Sequence, residues 1–285
     1  MTKAIRKNIE EYRGRTYRLH PDDRVKSKRE AVGFINQRGF ALFHPAKDLE
    51  FPSLWKATNG DRAVPNEHDD PGHITWQWKD ELLGERQCYY GRLIGQKMSF
   101  VSLKMLPYFF RLSKNIEWEN DYLLQYQKGE MSYEAKQMYE VLLDEGPMDT
   151  LQLRKKAGLW GQSNSYRYSK NLNWLQQELM IFPVGVATVG RWNYAFILDI
   201  LPRFLPELPD QSLELKMPES RDKILESVFL SLGAVDEKSI RKLLRWSSRS
   251  IEKSLGRLNA TGFVQPQIEV DGETRRQWVL TELLI

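Results

Sequence analysis

The sequence has one cysteine, Cys88, among its 285 residues, and it has no long apolar run. A single cysteine excludes an internal disulfide framework and any metal or iron–sulfur site that needs several thiolates. No stretch approaches the ~20 apolar residues that span a bilayer, and residues 1–18 lack the apolar segment of a signal peptide. We therefore expect a cytoplasmic protein without a membrane segment.

A strong net charge is also missing. The chain has 42 Lys and Arg against 38 Asp and Glu, which leaves a net charge of only +4. The basic surplus is local, because residues 1–30 hold ten basic and five acidic side chains. This segment is predicted to be either an arm that follows phosphates or a soluble tail. The chain has neither a Walker loop, nor a Gly-rich dinucleotide turn, nor a Ser-centred elbow.

One pattern occurs twice in the second half of the chain, over Ser132–Asp199 and again over Ser220–Thr281. Each copy is predicted as a helix, a short helix, a polar-faced helix and two strands joined by a tight turn. This order describes a winged helix-turn-helix. We therefore predict an α+β, mainly α fold with tandem winged helix-turn-helix units.

The first helices of the two copies are predicted over Tyr133–Glu145 and Asp222–Leu232. The short helices are expected to be capped by Asp149 or Thr150 and by Asp236 or Ser239. Ser247-Ser248 offers a cap for the third helix of the second copy.

Four domains follow from these boundaries: an N-terminal domain over 1–130, a winged unit over 131–200, a connector over 201–219 and a winged unit over 220–285. The connector contains four prolines within Leu201–Pro218. Proline prevents a continuous helix and is predicted to make the connector stiff and irregular. Such a connector holds two units at a fixed spacing, as in a clamp.

The third predicted helix of each copy and one wing carry side chains that bond phosphates and base edges. Solvation of an ordinary polar face is the alternative interpretation of these residues. Because they coincide with a helix-turn-helix order, we predict that they bind double-stranded DNA: Tyr166, Arg167, Lys170, Asn171, Arg191, Trp192, Ser248, Arg249 and Lys253.

Chemically active side chains are densest between residues 64 and 82. A polar turn followed by a capped helix is one interpretation, and a metal site is another. The spacing fits no zinc motif, and adjacent residues rarely converge on one ion, so we predict no metal and no other cofactor. The third interpretation is a base-recognition pocket, with both tryptophans on one face of a strand. Its predicted members are Asn66, Glu67, Trp76, Trp78 and Lys79.

With tandem winged units behind Pro65–Asp70 and Thr75–Leu82, the chain resembles the AlkZ/YcaQ-type DNA glycosylases of crosslink repair. The resemblance implies a third, divergent winged unit at the N-terminus and a C-shaped basic clamp around duplex DNA. It implies a monomer that cleaves the N-glycosidic bond of alkylated, bulky or otherwise modified bases.

The chain departs from this family at its catalytic element, which is Gln-x-Gln or Gln-x-Asp on an early strand. A buried strand is predicted over Phe40–Phe43, and Leu42-Phe43-His44 lies where that element is expected. Either the chemistry has moved or it has been lost, and the second case describes a non-catalytic DNA-binding regulator. Lys79 as a Schiff-base nucleophile ranks below simple hydrolysis. If the chemistry has moved, the candidate catalytic residues are Asp69, Asp70, Asp80, His44 and His68.

Overall fold

The computed structural model describes residues 2–67, 69–114, 118–190 and 192–284. Two predicted site residues, His68 and Arg191, lie outside the described residues. One order of elements, helix–strand–helix–helix–strand–strand, occurs three times along the chain. We name these three sets the first, second and third units.

Helix α1 (Thr2–Thr16) precedes the first unit. That unit consists of α2 (Lys28–Arg38), β1 (Phe40–Leu42), α3 (Leu54–Asn59), α4 (Ile74–Gly84), β2 (Cys88–Ile94) and β3 (Lys97–Ser102). Its strands form an antiparallel sheet in the order β1-β3-β2. The buried strand predicted near Phe40 is therefore confirmed as β1.

Helices α5 (Leu106–Arg111) and α6 (Trp118–Gln127) lead to the second unit. This unit contains α7 (Tyr133–Glu145), β4 (Met148–Asp149), α8 (Thr150–Lys156), α9 (Ser165–Gln177), β5 (Ile181–Ala187) and β6 (Ala195–Ile200), with sheet order β4-β6-β5. Helix α7 has the predicted bounds. Asp149 caps α8 as expected, because its side chain accepts from the backbone N–H groups of Leu151 and Gln152.

Helices α10 (Leu201–Phe204) and α11 (Leu208–Leu213) precede the third unit. That unit contains α12 (Met217–Leu232), β7 (Ala234–Val235), α13 (Glu237–Leu244), α14 (Ser248–Ala260), β8 (Val264–Ile268) and β9 (Gln277–Leu280), with sheet order β7-β9-β8. Asp236 and Ser247 cap α13 and α14, as the sequence predicts. Helix α12 begins before the predicted Asp222, because Pro218 fits the first turn of a helix.

The proline-rich connector is not irregular. Pro202 and Pro209 lie in the first turns of two short helices, α10 and α11. The apolar side chains Leu201, Phe204 and Leu208 join the largest hydrophobic core. That core also includes Phe40 of the first unit and Phe182 of the second. The units therefore share packed side chains, which fixes their relative positions.

The basic N-terminal segment is neither an arm nor a tail. Helix α1 buries Ile5 and Ile9, and Arg13 donates hydrogen bonds to the carbonyls of Leu232 and Ala234. The helix therefore packs against the third unit, because it has an apolar face that the charge count did not reveal. Within the described ranges no helix is both long enough and apolar enough to cross a membrane.

Candidate functional site

The segment predicted as a strand bearing Trp76 and Trp78 is helical. The carboxylate of Asp70 accepts from the N–H of Gly72 at 2.7 Å, and a short 3₁₀ turn over Pro71–His73 leads directly into α4. Residues two apart point to different sides of a helix. Trp78 is accordingly 7% exposed and packs in the first unit's core, whereas Trp76 is 39% exposed. The expectation of two tryptophans on one face is wrong, and Trp78 is a core residue.

Lys79 has no solvent-accessible side-chain surface, although the sequence suggests a surface lysine. Its ammonium lies 4.8–6.0 Å from the centroids of five aromatic rings. Burial lowers the pKa of Lys79, and the neighbouring Asp80 partly opposes that shift. Such ring faces attract a cation. We call this set of rings the aromatic cage: Phe43, Trp76, Tyr90, Tyr194 and Phe196.

Lys79, Asp80 and Tyr194 form a closed hydrogen-bonded group. The Lys79 ammonium donates to Asp80 Oδ1 and to the Tyr194 hydroxyl, each at 2.5 Å, and that hydroxyl donates to the same Oδ1 at 2.8 Å. Burial and the Asp80 carboxylate raise the pKa of Tyr194, which keeps the phenol protonated. The enclosed ammonium is therefore not placed to meet a phosphate or to attack a sugar.

His44 follows β1 and lies beside Trp76. Its ring stacks on Phe43 at 4.1 Å and meets Trp76 and Trp55 edge-on at 5.7 and 5.8 Å. Burial, together with the charges of His73 and Lys79, lowers the pKa of His44 to about 4. The imidazole is therefore neutral at neutral pH, which makes it a hydrogen-bonding group there and not a cation.

The Nε2 atoms of His44 and His73 are both buried, and neither has a hydrogen-bond partner among the described residues. His73 also approaches Trp55, with ring centroids 5.7 Å apart. Unsatisfied buried polar atoms are rare in folded proteins. These two nitrogens therefore leave hydrogen-bonding capacity unused on the His44 side of the site.

Asp70 is not free for catalysis. Its two oxygens accept from the Arg62 guanidinium at 2.8 and 2.5 Å, and Arg62 lies over the Trp55 ring. This pairing lowers the pKa of Asp70 to about 2. Asp70 therefore has a structural role, because it joins Arg62 to the turn at Gly72 that precedes α4. Asn66, Glu67 and Asp69 of the loop before this turn are exposed.

The structure thus brings four predicted site residues together: His44, Trp76, Lys79 and Asp80. The sequence interpretation missed Tyr194 and Phe196, which come from the second unit, and it did not commit to His73. Within the described residues no three His, Cys, Asp or Glu side chains are grouped to hold a metal ion.

The predicted DNA-contacting residues of α9 are partly exposed and partly buried. Tyr166 of α9 and Trp192 of the β5–β6 turn are each 77% exposed. Lys170 lies beside a groove of about 550 Å³ along α9. Asn171 is the exception, since it accepts from Ser132 Oγ and donates to the Arg167 carbonyl. Because its side chain is 6% exposed, the expectation that Asn171 meets DNA is wrong.

Helix α14 presents the predicted polar face to solvent. Ser248, Arg249 and Lys253 are exposed there. Arg257, one turn further on, instead forms a bidentate ion pair with Asp222 of α12 at 2.6 and 2.7 Å. The exposed cations of α14 therefore lie toward its N-terminal half, and Arg257 fastens the helix to its own unit.

Three helix–helix–hairpin units define a mixed α/β protein of repeated architecture. The buried Lys79–Asp80 ion pair of the first unit is hydrogen-bonded to Tyr194 of the second. The chain belongs to the AlkZ-related family, whose model matches residues 25–245. This confirms the resemblance drawn from the sequence. The fold is similar to that of Streptomyces sahachiroi DNA glycosylase AlkZ, with a TM-score of 0.57 and 12% identity over 96% of this chain and 69% of that chain. A search of the curated proteins finds no match.

Proposed function

We propose that this protein is a DNA glycosylase that hydrolyses the N-glycosidic bond of an alkylated, bulky or otherwise modified base. The observation that carries the proposal is the environment of Asp80. Its carboxylate is fixed by Lys79 and Tyr194. The Lys79 ammonium lies 4.9 Å from the centroid of the exposed Trp76 ring, and that ring meets neutral His44 edge-on. A fixed carboxylate can stabilise the positive charge that develops on the sugar when a glycosidic bond breaks, and an aromatic ring beside it can stack on the base.

The three units act as tandem winged helices that grip duplex DNA. Helices α4, α9 and α14 are the third helices of their units, the position that normally enters a groove. The exposed cations Lys170, Arg249 and Lys253 contact phosphates. The hairpin of β5 and β6 is the wing of the second unit, and Trp192 in its turn faces the duplex. One chain supplies the whole DNA-binding surface, so the active species is a monomer.

The chemistry begins with extrusion of the modified nucleotide from the stack. Trp76 stacks on the extruded base, and neutral His44 forms a hydrogen bond with it. As the bond to the sugar breaks, positive charge develops on the sugar ring. The Asp80 carboxylate stabilises that charge and orients the attacking water. Because the Lys79 ammonium is enclosed, water and not lysine is the nucleophile.

The proposal is tested by base release under single-turnover conditions from duplexes that contain alkylated or bulky bases. Asp80→Asn is expected to slow release by roughly 100-fold or more while duplex binding stays within about twofold. Asp69→Asn is the matched comparison, and it is expected to retain the wild-type rate because Asp69 lies in an exposed loop. Equal rates for Asp80→Asn and wild type would exclude Asp80 as the acting carboxylate.

A second candidate function is a non-catalytic DNA-binding protein. It is favoured by Leu42-Phe43-His44 at the position of the family's Gln-x-Asp element, because buried Leu42 has no polar group to contribute. A regulator binds a preferred sequence, usually as a dimer on a palindromic site. Strong sequence-specific duplex binding without base release would support this candidate against the glycosylase.

A further inference from the structure

Asp80 and the residue that helps to hold it belong to different units. Asp80 lies on α4 of the first unit, and Tyr194 lies at the end of the wing of the second unit, just before β6. Their hydrogen bond spans 114 positions of sequence. The wing thus reaches across to α4 and contacts the candidate catalytic carboxylate directly.

We propose that Tyr194 is a positioning residue that completes the catalytic site of the first unit from the second. This inference rests on the proposed glycosylase function. Tyr194 does not itself meet the substrate. It orients Asp80, so that the site is assembled only while the wing is seated against α4.

The hydrogen bonds select which carboxylate oxygen acts. Both donors, the Lys79 ammonium and the Tyr194 hydroxyl, point at Oδ1 of Asp80. Oδ2 accepts no hydrogen bond from the residues that the structure describes, and the Asp80 side chain is 23% exposed. Two charge-assisted bonds to one oxygen fix the rotation of the carboxylate. Oδ2 is then the oxygen left to orient water or to face the sugar.

Lys79 alone does not provide this orientation. Neighbouring residues on a helix do not face each other, so the lysine stem has to bend before its ammonium reaches Asp80. The aromatic cage sets that bend, and two of its five rings, Tyr194 and Phe196, come from the second unit. Removing Tyr194 therefore takes away one donor to Asp80 and also one wall of the cage that places the other donor.

The same wing turn carries Trp192, which is 77% exposed and lies two positions before Tyr194. Contact of Trp192 with DNA and orientation of Asp80 by Tyr194 therefore depend on one short segment. This arrangement links the grip on the duplex to the geometry of the site. It also separates the two roles experimentally, because one residue acts on binding and the other on the chemical step.

The main test is Tyr194→Phe, which keeps the ring of the cage and removes only the hydroxyl. We expect base release to slow by roughly 10- to 100-fold, with the dissociation constant for the same duplex within about twofold of wild type. Tyr133→Phe, at a tyrosine that is 60% exposed on α7, is the matched control and keeps the wild-type rate. A wild-type rate for Tyr194→Phe would overturn the proposal.

A double variant shows whether Tyr194 acts through Asp80. Tyr194→Phe combined with Asp80→Asn is expected to be no slower than Asp80→Asn alone, because the hydroxyl then has no carboxylate to orient. Multiplied losses would show that Tyr194 acts independently of Asp80, and would contradict a positioning role.

A readout without catalysis separates this inference from the glycosylase proposal. Reductive methylation followed by peptide mass spectrometry reports the accessibility of each lysine. Lys79 is expected to stay unmodified in the wild type while exposed Lys253 reacts, and Tyr194→Ala is expected to speed modification of Lys79 at least tenfold. If no base is released but Lys79 responds in this way, the glycosylase proposal fails and the contact between units stands. Equal protection of Lys79 in both proteins would refute the inference itself.

Discussion

The hydroxyl of Tyr194 donates a 2.8 Å hydrogen bond to Oδ1 of Asp80, which joins the wing of the second unit to the third helix of the first. The Lys79 ammonium donates to the same oxygen. The two donors turn an ordinary helix carboxylate into a fixed, charge-compensated group.

The buried ammonium of Lys79 contributes to stability through its partner. Lys79→Met fills the aromatic cage with apolar atoms but leaves the Asp80 charge with only one donor. We expect the free energy of unfolding to fall by about 2 kcal/mol in urea titrations, with part of the loss recovered when Asp80→Asn is added. Lys253→Met, at an exposed position, is the control and should change it by less than about 0.5 kcal/mol. Unchanged stability of Lys79→Met would contradict the ion pair.

The enclosed position of Lys79 predicts a hydrolase without lyase activity. A lysine that attacks the sugar forms a Schiff base, which borohydride reduces to a stable protein–DNA adduct. Because the Lys79 side chain has no accessible surface, no adduct is expected on gel electrophoresis during base release. An adduct that disappears in Lys79→Met would show that the cage opens and that lysine is the nucleophile.

His44 gives the protein a specific sensitivity to acid. Its pKa is about 4 in the folded protein, below the ordinary value of 6.5. As the pH falls through this interval the unfolded chain takes up a proton that folded His44 does not, so stability is lost and the loss is complete below about pH 4. This difference in pKa lowers the free energy of unfolding by at most about 3 kcal/mol.

His44→Gln should therefore flatten the loss of stability between pH 6.5 and 4, as measured by urea unfolding across that range. His20→Gln is the matched control, since the His20 side chain is 67% exposed, and it should keep the wild-type slope. Identical slopes for all three proteins would show that His44 titrates normally.

The exposed third helices predict a salt-dependent grip on DNA. Lys170→Ala, Arg249→Ala and Lys253→Ala should each weaken duplex binding and lower the slope of log K against log salt by about 1. Lys223→Ala should leave that slope unchanged, because Lys223 pairs with Glu226 on α12. Fluorescence anisotropy at several salt concentrations makes the comparison. An unchanged slope for all three cationic-face variants would remove them from the interface.

Local signals explain what could be predicted from the sequence. The bounds of α7 and the caps of α8, α13 and α14 follow from Ser and Asp side chains that bond nearby backbone N–H groups. These features depend on residues close together in the chain, so a single sequence contains them.

The sequence predicts a strand at the start of α4 because the first residues of this helix alternate between apolar and polar. Ile74-Thr75-Trp76-Gln77-Trp78 has the period of two and the β-branched and aromatic residues of a strand. The segment is helical because Asp70 caps the 3₁₀ turn that begins at Pro71, and this turn continues into α4. The residues that start the helix therefore precede the alternating segment. They lie in a polar loop that resembles a cluster of ligand-binding residues.

The most informative contacts of the site could not be predicted. Two of the five rings that enclose Lys79, Tyr194 and Phe196, come from another unit, and Asp70 is paired with Arg62 eight positions earlier. Neither contact leaves a periodic pattern. Tyr194 has no local feature that distinguishes it from the other tyrosines of the chain.

The central claim is that the Asp80 site cleaves an N-glycosidic bond, and the most direct measurement is mass-spectrometric detection of the free base. Purified wild-type protein is incubated with a panel of duplexes that carry alkylated or bulky bases, beside Asp80→Asn. We predict release of a free base, with an abasic site left in the DNA, from at least one modified duplex by the wild type and its near loss in Asp80→Asn. Tight duplex binding with no free base from any member of the panel would contradict the claim.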